Sequence, residues 1–376
     1  MFSTREEVTD YGLQLTNTHN NICYEWATGL GKSLMSIKVI EKYGGEWKII
    51  IAETNHEMNW IDEFKKHNKE HLLKNVSFHC YQSLHKVVGN YNYIYDECHH
   101  LFSDNRMNLS NNIVTYQFNK RNIFLSATLT WKQKENLQAI FSNTYIFKVS
   151  LSEAIKMKIL PKPSVYLIPI ELDNTVKNIT YHFSKTKSTV CTEWQAYKFY
   201  NDRVNYLKEQ YDLTQDKWTR INWLRAGNKR KQFLCDCKTR YAKQLVEKLD
   251  NKRLICFAGT IPQAVYLGKE LAIHSKIPKK KRLQIIEDFN NQKIHKLFVV
   301  DMLKEGMNLV NIEVGIIVQL DNQTRYSVQI TGRVLRSIYP EQYVLFVENT
   351  QDETYISTML GGFDSEYVST INLDEL

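Results

Sequence analysis

The sequence predicts an α/β fold with two parallel-sheet domains in tandem and a helical insertion between them. Short apolar runs alternate with amphipathic segments over residues 1–150, and the same alternation returns over residues 251–348. This pattern is typical of parallel strands that are covered by helices. A chain of 376 residues is also long enough for about two domains, each with a core of its own.

The first domain, residues 1–150, is predicted to build its sheet from short apolar runs. The candidate strands are Ile22–Glu25, Lys48–Ala52, Val76–Cys80, Tyr93–Asp96, Ile123–Ser126 and Tyr145–Val149. Two amphipathic segments fit as helices between them: Lys32–Tyr43, which ends before Gly44, and His56–His67.

The second domain, residues 251–348, shows the same kind of alternation. Its candidate strands are Leu254–Phe257, Leu271–His274, Leu297–Asp301, Val314–Leu320 and Tyr343–Val347. The candidate helices are Ile261–Leu271, Lys279–Asn290 and Ser327–Leu335. No sequence repeat relates the two domains, so the prediction of a tandem depends on the matching pattern.

Residues 151–250 are predicted to be a linker and an insertion. After a strand-like run, Ser164–Glu171, the polar and aromatic-rich stretch 172–248 is expected to be helical. Its aromatic side chains lie among many Lys and Arg residues, which allows two interpretations: stacking on nucleic-acid bases, or packing of the helices against each other. Residues 349–376 are expected to form an acidic C-terminal tail without a motif.

The composition suits a polyanionic partner, because the formal net charge is +8. Charge alone indicates only non-specific attraction. The N-terminus carries no apolar run of signal-peptide length and no stretch approaches a membrane span, so we expect a cytoplasmic protein without a membrane partner. The seven scattered cysteines are then expected to be reduced thiols, and Cys235 and Cys237 lack the spacing of a zinc site.

A glycine-rich segment, Trp26–Ser33, lies between a predicted buried strand and a predicted helix. In such a loop the backbone N–H groups turn toward phosphate oxygens, and the helix dipole favours negative charge. Lys32 would neutralise the β- and γ-phosphates of a nucleotide, and Ser33 would coordinate Mg²⁺. The candidate residues for ATP are Thr28, Gly29, Gly31, Lys32 and Ser33.

An acidic pair, Asp96 and Glu97, follows the apolar run Tyr93–Tyr95. Both carboxylates are therefore expected at the carboxyl end of a central strand, beside the glycine-rich loop. Asp96 would hold Mg²⁺ through water, and Glu97 would orient and deprotonate the attacking water. The alternative is a surface acidic pair without a catalytic role.

Two further segments complete a set of four. Ser126-Ala-Thr128 ends a predicted strand of the first domain, and Gln329–Arg336 lies in the second. Charge builds on the γ-phosphate during hydrolysis, so Arg333 and Arg336 are candidates for the arginine that neutralises it from a facing surface. One turn of an ordinary basic helix is the alternative.

In this order and spacing, the four segments resemble the motifs of the superfamily 2 helicases and translocases, in the branch whose second motif is DECH or DEAH. The resemblance covers both domains and leaves the insertion and the C-terminal residues unassigned. It implies two RecA-like domains, ATP and Mg²⁺ as cofactors and nucleic acid as the partner.

The resemblance also implies roles for single residues. His99, Ser126 and Thr128 would couple the nucleotide state to movement, with Ser126-Ala-Thr128 hydrogen-bonding toward the Asp96–Glu97 motif. Further candidates for nucleotide contact are Gln14, Gly306, Asn308 and Gln329; for Gln14 a solvent-exposed glutamine is the alternative. The candidates for nucleic-acid contact are Thr54, Asn55, Gln82, Ser83 and Thr260, and for Thr54 and Thr260 ordinary loop hydroxyls are the alternative.

Two positions depart from the family pattern. Trp26 occupies the place where the general phosphate-binding loop begins with glycine, and Val300 replaces a threonine that often contacts a backbone phosphate. The first departure makes the general loop pattern imperfect, while its lysine and serine are intact. The second puts one nucleic-acid contact in doubt and leaves the ATPase prediction unchanged.

The expected function is that of an ATP-dependent DNA helicase or translocase that works as a monomer. An RNA helicase, or a nucleic-acid-binding ATPase that clamps or remodels without separating strands, are the alternatives. A nucleotide kinase or GTPase would not explain Gln329–Arg336. The compact chain and the segment Leu151–Pro161 suggest a phage-encoded enzyme.

Overall fold

The computed structural model describes residues 2–54, 56–87, 89–102, 120–184, 186–300, 309–321, 340–360 and 364–376. Within them the chain divides into two compact units: the first comprises the residues up to Lys162 together with 309–310, and the second comprises the other residues from Pro163 onward. The predicted helix Ser327–Leu335 and the end of the predicted strand Leu297–Asp301 lie outside the described residues.

The first unit contains a six-stranded parallel sheet with the order β3-β2-β4-β5-β1-β6. Its strands are β1 (Asn21–Trp26), β2 (Trp47–Ile51), β3 (Val76–Cys80), β4 (Asn92–Tyr95), β5 (Asn122–Ser126) and β6 (Tyr145–Val149). The apolar runs predicted these strands to within a residue at either end. The central strands are almost entirely buried because helices cover a parallel sheet on both faces.

Helices precede, connect and follow these strands. They are α1 (Arg5–Leu15), α2 (Lys32–Tyr43), α3 (His56–Lys66), α4 (Trp131–Ile140) and α5 (Leu151–Lys156). Short 3-10 segments at Glu70–Asn75, Tyr81–Lys86 and Cys98–Phe102 lie in the described connections. The helix starts follow from capping side chains: Thr130 and Ser150 each form a reciprocal capping box with the third residue of the helix that follows.

The second unit contains a seven-stranded parallel sheet with the order β11-β12-β10-β13-β14-β7-β15. The strands are β7 (Ser164–Ile170), β10 (Leu254–Phe257), β11 (Ala272–Ile273), β12 (Lys296–Val299), β13 (Val314–Ile317), β14 (Glu341–Val347) and β15 (Val368–Thr370). The run at Ser164, predicted within the linker 151–250, pairs with β14 inside this sheet. Hence the second unit begins with that strand.

The stretch 172–248 is only partly helical. Its first part forms an antiparallel hairpin, β8 (Ile179–His182) and β9 (Ser188–Cys191), where helix was expected. From Glu193 onward the prediction is confirmed, with α6 (Glu193–Thr214), α7 (Lys217–Cys237) and α8 (Thr239–Lys248). Helices α9 (Ile261–Gly268) and α10 (Lys279–Asn290) connect strands of the sheet.

Residues 349–376 were expected to be a tail without a motif, but the structure folds them onto the second unit. They contain α11 (Gln351–Leu360) and the edge strand β15, which pairs with β7. A buried ion pair fixes α11, since Lys238 Nζ lies 2.9 Å from Asp352 Oδ2 and both side chains are nearly inaccessible. Asp352 Oδ2 also accepts a hydrogen bond from the backbone N–H of Val347 at the end of β14.

Candidate functional site

The glycine-rich loop lies between β1 and α2, as the sequence predicts. Gly29 and Gly31 have φ values of +93° and +90°, in the left-handed region where other residues are strained. The ammonium group of Lys32 donates a 2.8 Å hydrogen bond to the carbonyl oxygen of Trp26, at the start of the loop. The first helical residue thus folds back over the loop, whose amide groups lie at the N-terminus of a helix, a position that favours anions. Thr28 and Ser33 are both half-buried there.

The bulky residue at Trp26 is accommodated because its side chain packs into the core. It is fully buried, with its ring centroid 5.5 Å from that of Phe147 in an edge-on arrangement. Gly12 on α1 gives it room, since a Cβ at that position would lie 3.1 Å from the indole. The departure from the general pattern therefore leaves the loop backbone intact.

Asp96 follows β4 directly, and its backbone N–H still pairs with the carbonyl of Ile50 on β2 at 2.9 Å. Its Oδ2 accepts a 3.0 Å hydrogen bond from the indole Nε1 of Trp60. Burial raises the pKa of the Asp96 carboxyl, and the nearby charge of Glu97 raises this pKa further, whereas the Trp60 hydrogen bond and the charges of His56 and Lys32 lower it. The carboxylate is thus held in surroundings that favour a compensating cation.

Glu97 has a φ of +47°, so a non-glycine residue holds a left-handed conformation at the end of the strand. Such a conformation is uncommon for a non-glycine residue and costs free energy. Its Oε2 lies 3.3 Å from Nδ1 of His99, which is almost completely buried. The hydroxyl of Tyr81 donates to the carbonyl oxygen of Asp96 at 2.7 Å, so the segment Tyr81–Lys86 lies against the acidic pair.

Ser126 and Thr128 lie at the end of β5, next to the acidic pair. The register pairs Tyr95 on β4 with Phe124 on β5, which brings the ends of the two strands together. Ser126 Oγ donates a 3.0 Å hydrogen bond to the carbonyl of Thr128. This hydrogen bond lies within the Ser126-Ala-Thr128 motif, whereas one toward the Asp96–Glu97 motif was expected. In the described part of the chain, Thr128 Oγ1 is buried without a hydrogen-bond partner.

A buried glutamate that the sequence analysis did not single out connects two of these motifs. Glu25 on β1 is opposite Ser126 in the sheet, and its Oε1 accepts a 3.2 Å hydrogen bond from the N–H of Leu129. Its Oε2 pairs with Lys134 on α4 at 2.6 Å. An acidic residue within an otherwise apolar strand is the sequence signal that identifies such a position.

The remaining candidates of the first unit lie on its surface. Thr54 follows β2 and is exposed, as are Gln14 on α1 and Gln82. Ser83 is half-buried, and its hydroxyl donates to the carbonyl of Cys80 at 3.0 Å. Among the described contacts, no hydrogen bond joins Gln14 or Gln82 to Asp96 or Lys32.

In the second unit, Thr260 caps α9. Its Oγ1 accepts a 3.3 Å hydrogen bond from the N–H of Gln263, which is the ordinary role of a threonine before a helix. The buried amide of Gln263 accepts from the N–H of Gly259 at 2.9 Å and donates to the carbonyl of Cys235 at 2.8 Å, which fixes the loop that carries Thr260. Val300, where the family pattern has threonine, is buried in the core of this unit.

Several predicted residues lie outside the described part of the chain. They are Asn55, Gly306, Asn308, Gln329, Arg333 and Arg336.

The donor groups of the first unit fit a nucleotide with Mg²⁺. The Asp96 carboxylate and the Ser33 hydroxyl are both oxygen donors, the type that Mg²⁺ prefers. In the described ranges, no group of three or more His, Cys, Asp and Glu side chains is arranged to hold a metal by itself.

Residues 237–337 match the helicase conserved C-terminal domain. In the described structure, the matched region includes α8, the strands from β10 to β13, and the loop of Thr260. It places the predicted Gln329–Arg336 motif inside the matched region. A search of curated protein sequences gives no match.

Solved structures resemble the fold. Dbp5 of S. cerevisiae, bound to RNA and ADP BeF3, superposes with a TM-score of 0.64 at 11% identity, over 98% of this chain and 90% of that one. The Hef helicase domain of Pyrococcus furiosus gives a TM-score of 0.52 at 12% identity, over 94% and 97% of the two chains. The predicted fold class, two RecA-like parallel-sheet domains with a helical insertion, is confirmed. No helix in the described residues is long and apolar enough to cross a membrane.

Proposed function

We propose that this chain is an ATP-dependent superfamily 2 helicase or translocase of the DECH type, with DNA favoured as its partner. The observation that carries the proposal is the position of Lys32 and Asp96 in the first unit. Lys32 begins the helix after the glycine-rich loop, Asp96 follows a strand of the same parallel sheet, and the charge of Lys32 lowers the pKa of Asp96. A helicase C-terminal domain follows in the same chain.

The first unit provides the residues for binding ATP and Mg²⁺. The loop amides from Thr28 to Gly31 would bind phosphate oxygens, and Lys32 would exchange its hydrogen bond with Trp26 for the β- and γ-phosphates. Ser33 and Asp96 would hold Mg²⁺, which, when bound, neutralises phosphate charge. Gln14 is proposed as an adenine contact on the family resemblance alone.

Glu97 would act as the general base. Glu97 is adjacent to Asp96 in the chain, and its carboxylate lies 3.3 Å from Nδ1 of the buried His99. Protonation of Glu97 would therefore change the charge next to His99. We propose that His99 transmits this change, together with Ser126 and Thr128 at the neighbouring strand end. Glu25 would position the Ser126-Ala-Thr128 motif through its hydrogen bond with Leu129.

The other half of the nucleotide contacts is proposed from the sequence. Arg333 and Arg336 would stabilise the charge that builds on the γ-phosphate, and Gly306, Asn308 and Gln329 would contact the nucleotide. All five lie within the region that matches the helicase C-terminal domain.

Nucleic acid is the proposed track. Thr54, Asn55, Gln82, Ser83 and Thr260 would contact its backbone, because a motor that moves along any sequence cannot depend on base edges. Dbp5 is described as bound to RNA, which makes RNA the second candidate. DNA is favoured on the lettering of the second motif. A phage origin and a cytoplasmic monomer stay predictions.

The test is ATP hydrolysis with and without matched DNA and RNA oligomers. The proposal expects hydrolysis to rise in the presence of nucleic acid, more with DNA than with RNA. Stimulation by RNA alone would favour an RNA helicase. Strong stimulation without strand displacement would favour a clamp or remodeller, and no hydrolysis under any condition would contradict the proposal.

A further inference from the structure

Helices α6 and α7 form a long hairpin whose distal part projects from the core of the second unit. All buried residues of α7 lie at or after Arg230, and all those of α6 lie at or before Leu207. Beyond these points, from 208 to 229, every residue is exposed or half-buried. The base of the hairpin thus packs in the core and its distal half does not.

The distal half of α7 is strongly basic. Lys217, Arg220, Arg225 and Lys229 lie within it, and no acidic residue occurs from 217 to 229. Among the described residues none of these four has an ion-pair partner, whereas Lys231, nearer the core, pairs with Asp321 at 3.0 Å. Helix α6 differs, because its Lys and Arg residues are balanced by Glu and Asp. Positive charge is therefore concentrated on one helix of the hairpin.

The aromatic residues of the hairpin separate into two groups. Most pack internally: the rings of Tyr211 and Trp223 stack 5.8 Å apart, and Tyr200 and Phe233 lie 5.1 Å apart. Two are exposed: Tyr206 on α6, which lies beside the guanidinium group of Arg203, and Trp218 on α7, with 67% of its surface exposed. Packing within the hairpin accounts for the first group and leaves Trp218 without a structural role.

Trp218 and two of the basic residues share one face of α7. Trp218, Asn222, Arg225 and Lys229 are separated by four, three and four residues, the spacing of one helical face. All four are exposed. At a rise of about 1.5 Å per residue, the face extends over about 16 Å, enough for several successive phosphates of a nucleic-acid strand.

We propose that this face of α7 binds single-stranded nucleic acid outside the two parallel sheets. Trp218 stacks on an unpaired base, and Arg225 and Lys229 contact backbone phosphates. An aromatic platform beside a row of cations is the combination that binds single strands without sequence preference, and stacking requires a base that is not already paired. The inference rests on the proposed function, since it assumes that nucleic acid is the partner.

Binding of a fluorescent single-stranded DNA oligomer and of a blunt duplex, measured by anisotropy over a series of salt concentrations, tests the proposal in the full chain. Trp218→Ala should weaken single-strand binding by about fivefold or more, because it removes one stacked base. Arg225→Gln with Lys229→Gln should reduce the slope of log K against log salt by about 1.4, since each phosphate contact on a single strand contributes about 0.7. Duplex binding should change much less.

Two matched controls separate a specific contact from general charge. Lys279→Gln with Lys281→Gln removes the same charge from the exposed start of α10, and Tyr266→Ala removes another exposed aromatic ring, on α9. Both should leave single-strand binding close to that of the wild type. Thermal unfolding of every variant checks that the fold is retained, as substitutions at exposed positions allow.

An equal loss of slope in the α10 control would overturn the proposal, because net charge would then explain the binding. Unchanged single-strand affinity in Trp218→Ala would also overturn it. An equal loss of affinity for the duplex would do the same, because the face would then bind duplex rather than single strands. Wild-type protein that neither binds nor responds to nucleic acid would instead contradict the proposed function. Wild-type binding with unaffected α7 variants would contradict this inference alone.

Discussion

The indole Nε1 of Trp60 donates a 3.0 Å hydrogen bond to Oδ2 of Asp96. Trp60 lies on α3 and is nearly inaccessible, and Asp96, the first residue of the acidic pair, directly follows β4. This hydrogen bond from an uncharged donor fixes one oxygen of the Asp96 carboxylate. It also lowers the pKa of Asp96, which burial raises. A tryptophan on the buried face of α3 therefore also orients the proposed Mg²⁺ ligand.

Trp60→Phe should shift the pH dependence of ATP hydrolysis. The pKa of Asp96 is already raised, and in the proposed role Asp96 must be ionised to hold Mg²⁺, so activity should fall as the pH drops through that pKa. Removing a hydrogen bond that lowers the pKa raises it further, and the acid limb of the profile should move to higher pH. The control Trp47→Phe removes an indole hydrogen bond to Gly44 away from the site and should not move the limb. An unmoved limb in Trp60→Phe would contradict the role of this bond.

Glu97→Gln should bind ATP but hydrolyse it about 10²-fold or more slowly, because the amide cannot accept the proton of the attacking water. Single-turnover hydrolysis and equilibrium ATP binding measure the two effects separately. Glu135→Gln, at an exposed position on α4, is the control and should resemble the wild type. Rapid hydrolysis by Glu97→Gln is incompatible with the general-base role.

Asp352→Ala should destabilise the second unit by about 3–5 kcal/mol, since it leaves the buried ammonium of Lys238 without its carboxylate. Denaturant unfolding gives the free energy. Glu247→Ala breaks an exposed pair with Lys243 and should cost less than about 1 kcal/mol. Replacing both partners, with Lys238→Met and Asp352→Leu, should recover most of the loss. A cost for Asp352→Ala no larger than that of Glu247→Ala would show that residues 349–376 are not fixed by this pair.

Arg333→Ala should lower the rate of hydrolysis by about 10³-fold or more while ATP affinity changes far less, because an arginine finger acts on charge that develops during the reaction. Steady-state kinetics together with binding of a non-hydrolysable nucleotide separate the two quantities. Arg203→Ala, exposed on α6, serves as the control. Equal losses in rate and affinity would argue for a ground-state contact.

The sheet of each unit was predictable because a parallel strand is buried on both faces and appears as an apolar run. The run at Tyr93, for example, predicted both β4 and the position of Asp96 after it. The hairpin β8–β9 was not predictable in this way, since its short strands mix polar and apolar residues and one side faces solvent. Strand β15 has three residues and depends on pairing with β7, almost the whole second unit away in sequence.

In the candidate site, too, some features were predictable from the sequence and others were not. Local motifs gave the glycine-rich loop and the acidic pair, because their chemistry needs fixed spacing along the chain. Trp60 and Glu25 act on these motifs through contacts between elements that are distant in sequence, and only the three-dimensional structure brings them together. The exposed ring of Trp218 and the packed ring of Trp223 likewise could not be told apart by spacing alone.

The most direct test of the central claim is nucleic-acid-stimulated ATP hydrolysis by Lys32→Ala beside Lys38→Ala on the same helix. Lys38 pairs with Asp10 at the surface, so its loss should leave stimulated hydrolysis near the wild-type rate. Lys32→Ala should abolish it, because phosphate charge is no longer neutralised in the glycine-rich loop. Hydrolysis by Lys32→Ala at the wild-type rate would contradict the nucleotide site and the motor function built on it.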